Sequence, residues 1–216
     1  MRNSEQMQET SHAQSRGRPD KQEAILEAAT RLFLREGNLQ AGVAEIAAAA
    51  GVAKPTIYAH FGSKENLLLT VLRNAFDRVG AANFAALDAL PDRPDNLEEA
   101  LLEFARKLVR NLYHDPDTLR LRRVLRMENA INPEVSSAAR EHDRPQRDRL
   151  ADALAGRLAR LALAGYLKLE DPDRAARQFL ALVTYDMQRL EEDELMKALT
   201  ANIRFFLRGY AAGDTA

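Results

Sequence analysis

Gly51-Val52-Ala53-Lys54-Pro55-Thr56-Ile57-Tyr58-Ala59-His60-Phe61-Gly62-Ser63-Lys64-Glu65 is the stretch on which the reading of this 216-residue chain turns. The preceding run Val43-Ala44-Glu45-Ile46-Ala47-Ala48-Ala49-Ala50 has the composition of a two-turn helix, and Gly51 supplies the positive φ that ends a helix and turns the chain. Pro55 fits a helix only in its first turn, where its missing N–H loses no bond, so a second short helix begins beside it. Ile57 and Phe61, four residues apart, give that helix one buried face. Lys54, Thr56, Tyr58, Ala59 and His60 are left on or near the free face. Helix, glycine turn and helix in this order form a helix-turn-helix, whose second helix fits the major groove of DNA.

Several positions in this region agree, in order and spacing, with one known family. Ile46-Ala47, Ala50-Gly51-Val52, Thr56-Ile57-Tyr58, His60-Phe61 and Ser63-Lys64-Glu65 resemble the amino-terminal signature of the tetracycline-repressor (TetR) family of bacterial one-component regulators. The resemblance covers residues 18 to 70; beyond it only a pattern of helices remains, similar to the group with an AefR-like carboxy-terminal domain. It implies a transcriptional repressor that binds a palindromic double-stranded operator as a homodimer and is released by a small molecule.

The totals neither demand nor forbid this. Net charge is −1, so electrostatic steering of DNA has to come from local placement. The absence of cysteine excludes disulfides and thiolate metal sites and accords with a reducing compartment. No apolar run approaches the roughly 18 residues needed to span a membrane, so a cytoplasmic protein without membrane partners is expected. Strand formers are sparse while Ala, Leu, Arg and Glu dominate, as in an all-α protein. The expected architecture is a disordered tail at 1–15, a three-helix helix-turn-helix DNA-binding domain at 16–66, and a helical-bundle effector-binding and dimerisation domain at 67–216.

Within the first domain, Arg16-Gly17-Arg18-Pro19 has the shape of an arm that lies in a narrow minor groove; a solvated tail is the alternative. Asp20 and Glu23 form a capping box for a helix predicted to reach Glu36, where Gly37 stops it. Where the family carries a Thr or Ser cap that touches phosphate, this chain has Ala41 and Gly42. Ala44 likewise lacks the side chain with which some relatives reach a base, so the helix at 43–50 reads little. The burden passes to Lys54, Pro55, Thr56, Tyr58 and His60. Lys54 and Thr56 are the candidates for base edges, and Tyr58 and His60 for phosphates, with a half-buried core role the alternative for Tyr58. Ser63 caps the next helix. Lys64 then sits in a first turn, where the helix dipole disfavours a cation by a few tenths of a kcal/mol, and a DNA phosphate is the expected partner.

In the second domain, helices are predicted from 64 towards Leu90, then at about 96–114, 118–131, 134–165 with a kink at Pro145, 172–190 and 193–211. The apolar faces of the last two are wider than one core requires. By resemblance, Phe179, Val183, Met187, Leu195, Leu199, Ile203 and Phe206 pair across a two-fold axis; the alternative is that they complete the monomer core. Phe84, Phe104, Leu108, Tyr113, Met127, Asn129, Phe179 and Val183 are the candidate walls of an effector pocket, which implies a largely apolar ligand.

Other chemistries find no motif. His12, His60, His114 and His142 lack zinc-hydrolase spacing, and no phosphate loop, nucleophile elbow or dinucleotide fingerprint occurs. No catalytic residue, cofactor or metal is therefore expected. An all-helical enzyme with side chains gathered from distant helices, or a protein-binding adaptor, remain the alternatives. A steep salt dependence of DNA binding separates a regulator from both.

Overall fold

The computed structural model describes residues 21–212, which form two compact units divided between Val71 and Leu72. Arg16, Arg18 and the Asp20 cap lie outside the described residues.

In the first unit, α1 (Lys21–Thr30) ends in a π-helical turn at Arg31–Arg35, closed by the Glu36 N–H on the Arg31 carbonyl at 3.0 Å. Gly37, at φ 68°, then turns the chain, as its position after the apolar stripe predicts. α2 (Val43–Ala50) stops in a Schellman arrangement. Gly51 is left-handed at φ 65°, its N–H reaches Ala48 O at 3.3 Å, and the Val52 N–H reaches Ala47 O at 3.0 Å. α3 (Lys54–Phe61) starts with Pro55 in its first turn and no side-chain cap from Ala53. Ile25, Phe33, Ile46 and Ile57 are fully buried and make the core of this unit.

α4 (Lys64–Asp88) is capped by Ser63, whose Oγ accepts from the Asn66 N–H at 3.1 Å. Its first two turns bury Leu67, Leu68 and Val71 and count with the first unit. The division therefore falls inside the helix, five residues beyond the end expected for the DNA-binding domain.

The second unit adds α5 (Leu97–Val109), which runs into a π turn at Arg110–His114, then α6 (Pro116–Ile131), α7 (Pro133–Leu163), α8 (Pro172–Thr184) and α9 (Glu192–Tyr210). Asn96, Asp115, Asn132 and Asp171 each cap the helix that follows by accepting from a backbone N–H three residues on. In the last three, a proline occupies the first turn. α7 remains helical through Pro145, which deprives the Glu141 carbonyl of its usual donor.

α8 ends at Thr184, short of the predicted 190. Its last carbonyls are taken by side chains from other helices: Leu182 O accepts from Asn202 Nδ2 at 2.7 Å and Thr184 O from the Tyr113 hydroxyl at 3.1 Å. Asp186 then turns the chain in the left-handed region at φ 55°, which Asp tolerates.

The core of this unit is an aromatic column. Phe104 of α5 stacks on Phe179 of α8 at 5.7 Å between ring centres, and Phe179 meets Phe206 of α9 edge-on at 5.2 Å. Val183, Met187, Leu195, Leu199 and Ile203 surround it. All seven residues expected at a dimer interface are thus buried within a single chain, from Phe179 at 0% to Met187 at 4% exposure. A side chain with no accessible surface has none to lose to a partner, so Phe179, Val183, Met187, Leu195, Leu199, Ile203 and Phe206 are corrected to monomer core.

The segment between α4 and α5 is held by a charge cluster. Arg157, with a side chain only 13% exposed, donates to the Leu90 carbonyl and pairs with Asp92 at 3.1 Å, while Arg160 Nε donates to Asp92 at 2.9 Å. The hydrogen bond from Arg160, followed by the charge of both arginines, holds the Asp92 carboxyl below the usual carboxylate range. A lowered folded-state value means that stability is present above the unfolded value and is lost as pH falls through the folded one. The acid limb of a stability-versus-pH curve should accordingly flatten in Asp92→Asn, as followed by urea melts between pH 7 and pH 3. Identical limbs for the two proteins would show that the cluster does not couple to folding.

At the far end of the unit, Leu167 forms an isolated antiparallel bridge with Ala211. The Lys168 N–H donates to Tyr210 O at 2.7 Å across it.

Candidate nucleic-acid interface and effector cavity

The free face of α3 forms as its residue pattern predicts. Ile57 and Phe61 fasten the helix from below, while Lys54, Pro55, Ala59 and His60 are exposed and Thr56 is half-buried. Tyr58 is 43% exposed, so it is not a core residue, and Lys54 Nζ lies 5.8 Å from its ring centre. No acidic residue occurs between Glu45 and Glu65. The protruding groups are therefore donors and cations with no local carboxylate to neutralise them. α2 adds little, because beside Glu45 its exposed positions are Ala44, Ala48 and Ala49.

Lys64 has a partner within its own unit. Its Nζ donates to the Leu39 carbonyl at 2.7 Å and lies 5.9 Å from the Phe33 ring centre. The unfavourable first-turn charge is thus satisfied inside the unit, where it ties α4 to the loop between α1 and α2. Lys64→Met should lower the stability of this unit by ~1 kcal/mol, the scale of a partly exposed charged hydrogen bond, as read by urea denaturation. If stability holds and only the salt dependence of DNA binding changes, the tie is dispensable and a phosphate role is favoured.

The second unit carries a half-open cavity of about 580 Å³. Phe84, Leu108 and Tyr113 line it as the sequence reading expected. Phe104, Phe179 and Val183 do not, because the aromatic column takes them into the core. Met127 and Asn129 also lie off the wall: Met127 is exposed, and Asn129 Oδ1 accepts from Ser136 and Arg140 beside α7.

The wall is also more polar than expected. α4 contributes Phe76, Val79, Gly80 and Asn83; α6 contributes Thr118, Leu121, Arg122 and Arg126; α7 contributes Arg140, Asp143, Gln146 and Arg147. A Cβ on Gly80 would fall 1.8 Å from Gln146 Oε1, so glycine is what lets that side chain lie against the α4 backbone. Gln146 Nε2 and His142 Nε2 both bond Asp77 of α4, the latter at 2.9 Å. Asn111 Nδ2 donates to Asn83 Oδ1 at 3.2 Å, so α4 is held from two sides by polar groups around the cavity. Burial pushes the Asp143 carboxyl upward, against the opposing pull of Arg147, His142 and Arg122.

The arginines were legible in principle. Thr118, Arg122 and Arg126 recur every four residues along one face of α6, but a polar stripe at that spacing reads by default as a solvated one.

Among the described residues, no group of three or more His, Asp or Glu side chains is placed to hold a metal, and no helix is long and apolar enough to cross a membrane. Residues 25–71 match the model of bacterial regulatory proteins of the tetR family, and residues 99–212 match the carboxy-terminal domain of AefR-like transcriptional repressors. The transcriptional activator FasR of Mycolicibacterium smegmatis is 37% identical over 87 residues, 40% of either protein, so the chain spans less than half of that relative. A crystal structure of a TetR-family transcriptional regulator from Mesorhizobium loti MAFF303099 superposes with a TM-score of 0.71 at 26% identity, covering 88% of this chain and 96% of that one. The flavonoid-responsive regulator FrrA gives 0.63 at 28% identity, covering 90% and 98%.

Proposed function

The chain belongs to the tetR family of bacterial regulatory proteins, with an AefR-like carboxy-terminal domain, and on that premise we propose that it represses transcription from a palindromic operator until a small molecule releases it. The observation that carries the DNA-binding part is the free face of α3. Lys54, Tyr58 and His60 stand out from a helix anchored by two buried side chains, in a stretch without carboxylates. In a major groove, Lys54 donates to guanine O6 and N7, the Thr56 methyl meets thymine, and Tyr58 and His60 reach phosphates, with Pro55 fixing the helix start. Arg16 and Arg18 are proposed as a minor-groove arm, and Lys64 as a secondary phosphate contact through its remaining N–H groups.

The family fold implies a dimer, and the surface offers a face for it. Ala201, Phe205 and Gly209 recur every four residues on α9, all exposed and none charged. α8, which packs on α9, exposes Ala181 and, just past its end, Tyr185. Small residues around two large rings, Phe205 and Tyr185, allow close approach of a second copy. Two recognition helices about 34–36 Å apart then enter successive major grooves.

Release follows from α4, which begins immediately after the recognition helix and later walls the cavity with Phe76, Val79 and Phe84. A ligand that binds one placement of α4 better than another shifts the balance between them by its differential affinity and no more. The similar regulator FrrA is described as flavonoid-responsive, which accords with such a site.

Fluorescence anisotropy with a duplex from the chain's own upstream region tests the proposal. Tight binding that weakens steeply with salt is expected, and Lys54→Ala should weaken it about tenfold or more. Binding that is weak, shallow in salt and indifferent to Lys54 would sink the reading.

A further inference from the structure

We infer that the cavity of the second unit takes an amphipathic organic anion, its carboxylate held by Arg122 and Arg126 and its apolar body lying against the hydrocarbon part of the lining; this rests on the ligand-responsive reading above. Arg122 is fixed before any ligand arrives. Its Nε donates to the Leu112 carbonyl at 2.9 Å, and its guanidinium carbon lies 4.5 Å from the Tyr113 ring centre. That carbonyl is available because the helix is ending in its π turn, where the last carbonyls lack helical donors. With Nε spent and the plane stacked, the two terminal nitrogens are left without a partner among the described residues. A planar fork with two free nitrogens matches a carboxylate bidentately.

Arg126, one turn further along α6, lines the same cavity and has no partner among the described residues. Two cations four residues apart on one helix face repel each other, and an anion between them reverses that repulsion. The other charges on the wall compensate only in part, since Asp143 attracts Arg122 but is closer to Arg147. Arg140 is committed to Asn129 and Ser136, and the single carboxylate, Asp143, is paired with Arg147 at 3.0 Å. The wall thus carries four arginines and one aspartate, and its positive surplus comes from Arg122 and Arg126 on α6 together with Arg140 on α7, whose partners are neutral.

Beside the neutral polar groups of Asn83, Thr118, Gln146 and Thr184, the lining offers a hydrocarbon surface, with Phe76 and Val79 from α4, Leu108 from α5, Leu150 from α7 and Leu180 from α8. Such a surface gives an inorganic anion nothing to bury against, and the arginines penalise a cation or a neutral hydrocarbon. Only a molecule with both parts satisfies the whole wall.

Calorimetric titration of the full chain decides the matter with two acids of different shape, decanoate and 2-naphthoate. Each is compared with its neutral twin, 1-decanol or 2-naphthamide, and decylammonium serves as the cation. At least one acid should bind about tenfold or more tighter than its twin. Arg122→Met and Arg126→Met should each remove most of that preference while leaving the neutral twin's affinity in place. Arg126 is exposed and unpaired, so its variant keeps the test valid if Arg122→Met misfolds. Neither acid binding, neutral or cationic ligands binding as well as the acids, or an acid preference that survives Arg126→Met would each overturn the inference. Whether the preferred acid also dissociates the operator complex is read separately by anisotropy. An acid that binds selectively without affecting DNA would uphold the ligand class and refute the release mechanism.

Discussion

Phe179→Ala should destabilise the second unit by about 3–5 kcal/mol, the cost of deleting a fully buried aromatic ring from a packed core. The ring sits between Phe104 and Phe206, so its loss opens a void between α5, α8 and α9 at once and removes two ring-ring contacts. For a unit of this size the melting temperature should fall by on the order of 10 °C. The same experiment separates core from interface. A residue lost from a core costs the same at every protein concentration, whereas one lost from a dimer face costs less as concentration rises and association recovers. A melting shift that shrinks at high concentration would return Phe179 to the interface.

Phe205→Glu should have the opposite signature. The side chain is 64% exposed, so the substitution leaves the fold of one chain intact. At a dimer face it places a carboxylate against an apolar surface, and sedimentation should show monomers where the parent chain shows dimers. Operator affinity should then fall by about 10²-fold or more, because the second half-site is no longer held at high effective concentration. A variant that stays dimeric would mean that the two-fold axis passes elsewhere.

These two phenylalanines mark where the sequence was readable and where it was not. Chain punctuation depends on local chemistry, so Gly51, Pro55 and Ser63 act where their neighbours alone predict. The amphipathic stripes of the last two helices were equally plain. What a stripe cannot reveal is whether it packs against its own chain or a second copy, since burial stabilises both in the same way. Phe179 and its neighbours meet their own chain, and the less conspicuous row at Ala201, Phe205 and Gly209 is the one left outside.

The cavity was half legible for a related reason. Phe84, Leu108 and Tyr113 were found because aromatic and aliphatic residues are the usual walls. Arg122 was missed because its role depends on a carbonyl and a ring in another helix, freed by a π turn that no periodicity announces. Lys64 carried a sound electrostatic expectation of a partner. Within its own unit it meets a carbonyl 25 residues upstream, which only the fold brings within reach.

The alanine-rich α2 has a consequence for the breadth of control. With Ala44, Ala48 and Ala49 on its outer positions, this helix has almost no side chain to offer a base, and under the proposed reading each half-site is judged by a few side chains of α3. A mismatch costs about 1–3 kcal/mol only where a side chain inspects it, while a genome presents on the order of 10⁶ or more competing sites. So brief a recognition code finds many partial matches. Selectivity must then come from demanding two correctly spaced half-sites together, so that symmetry supplies the discrimination that α2 does not.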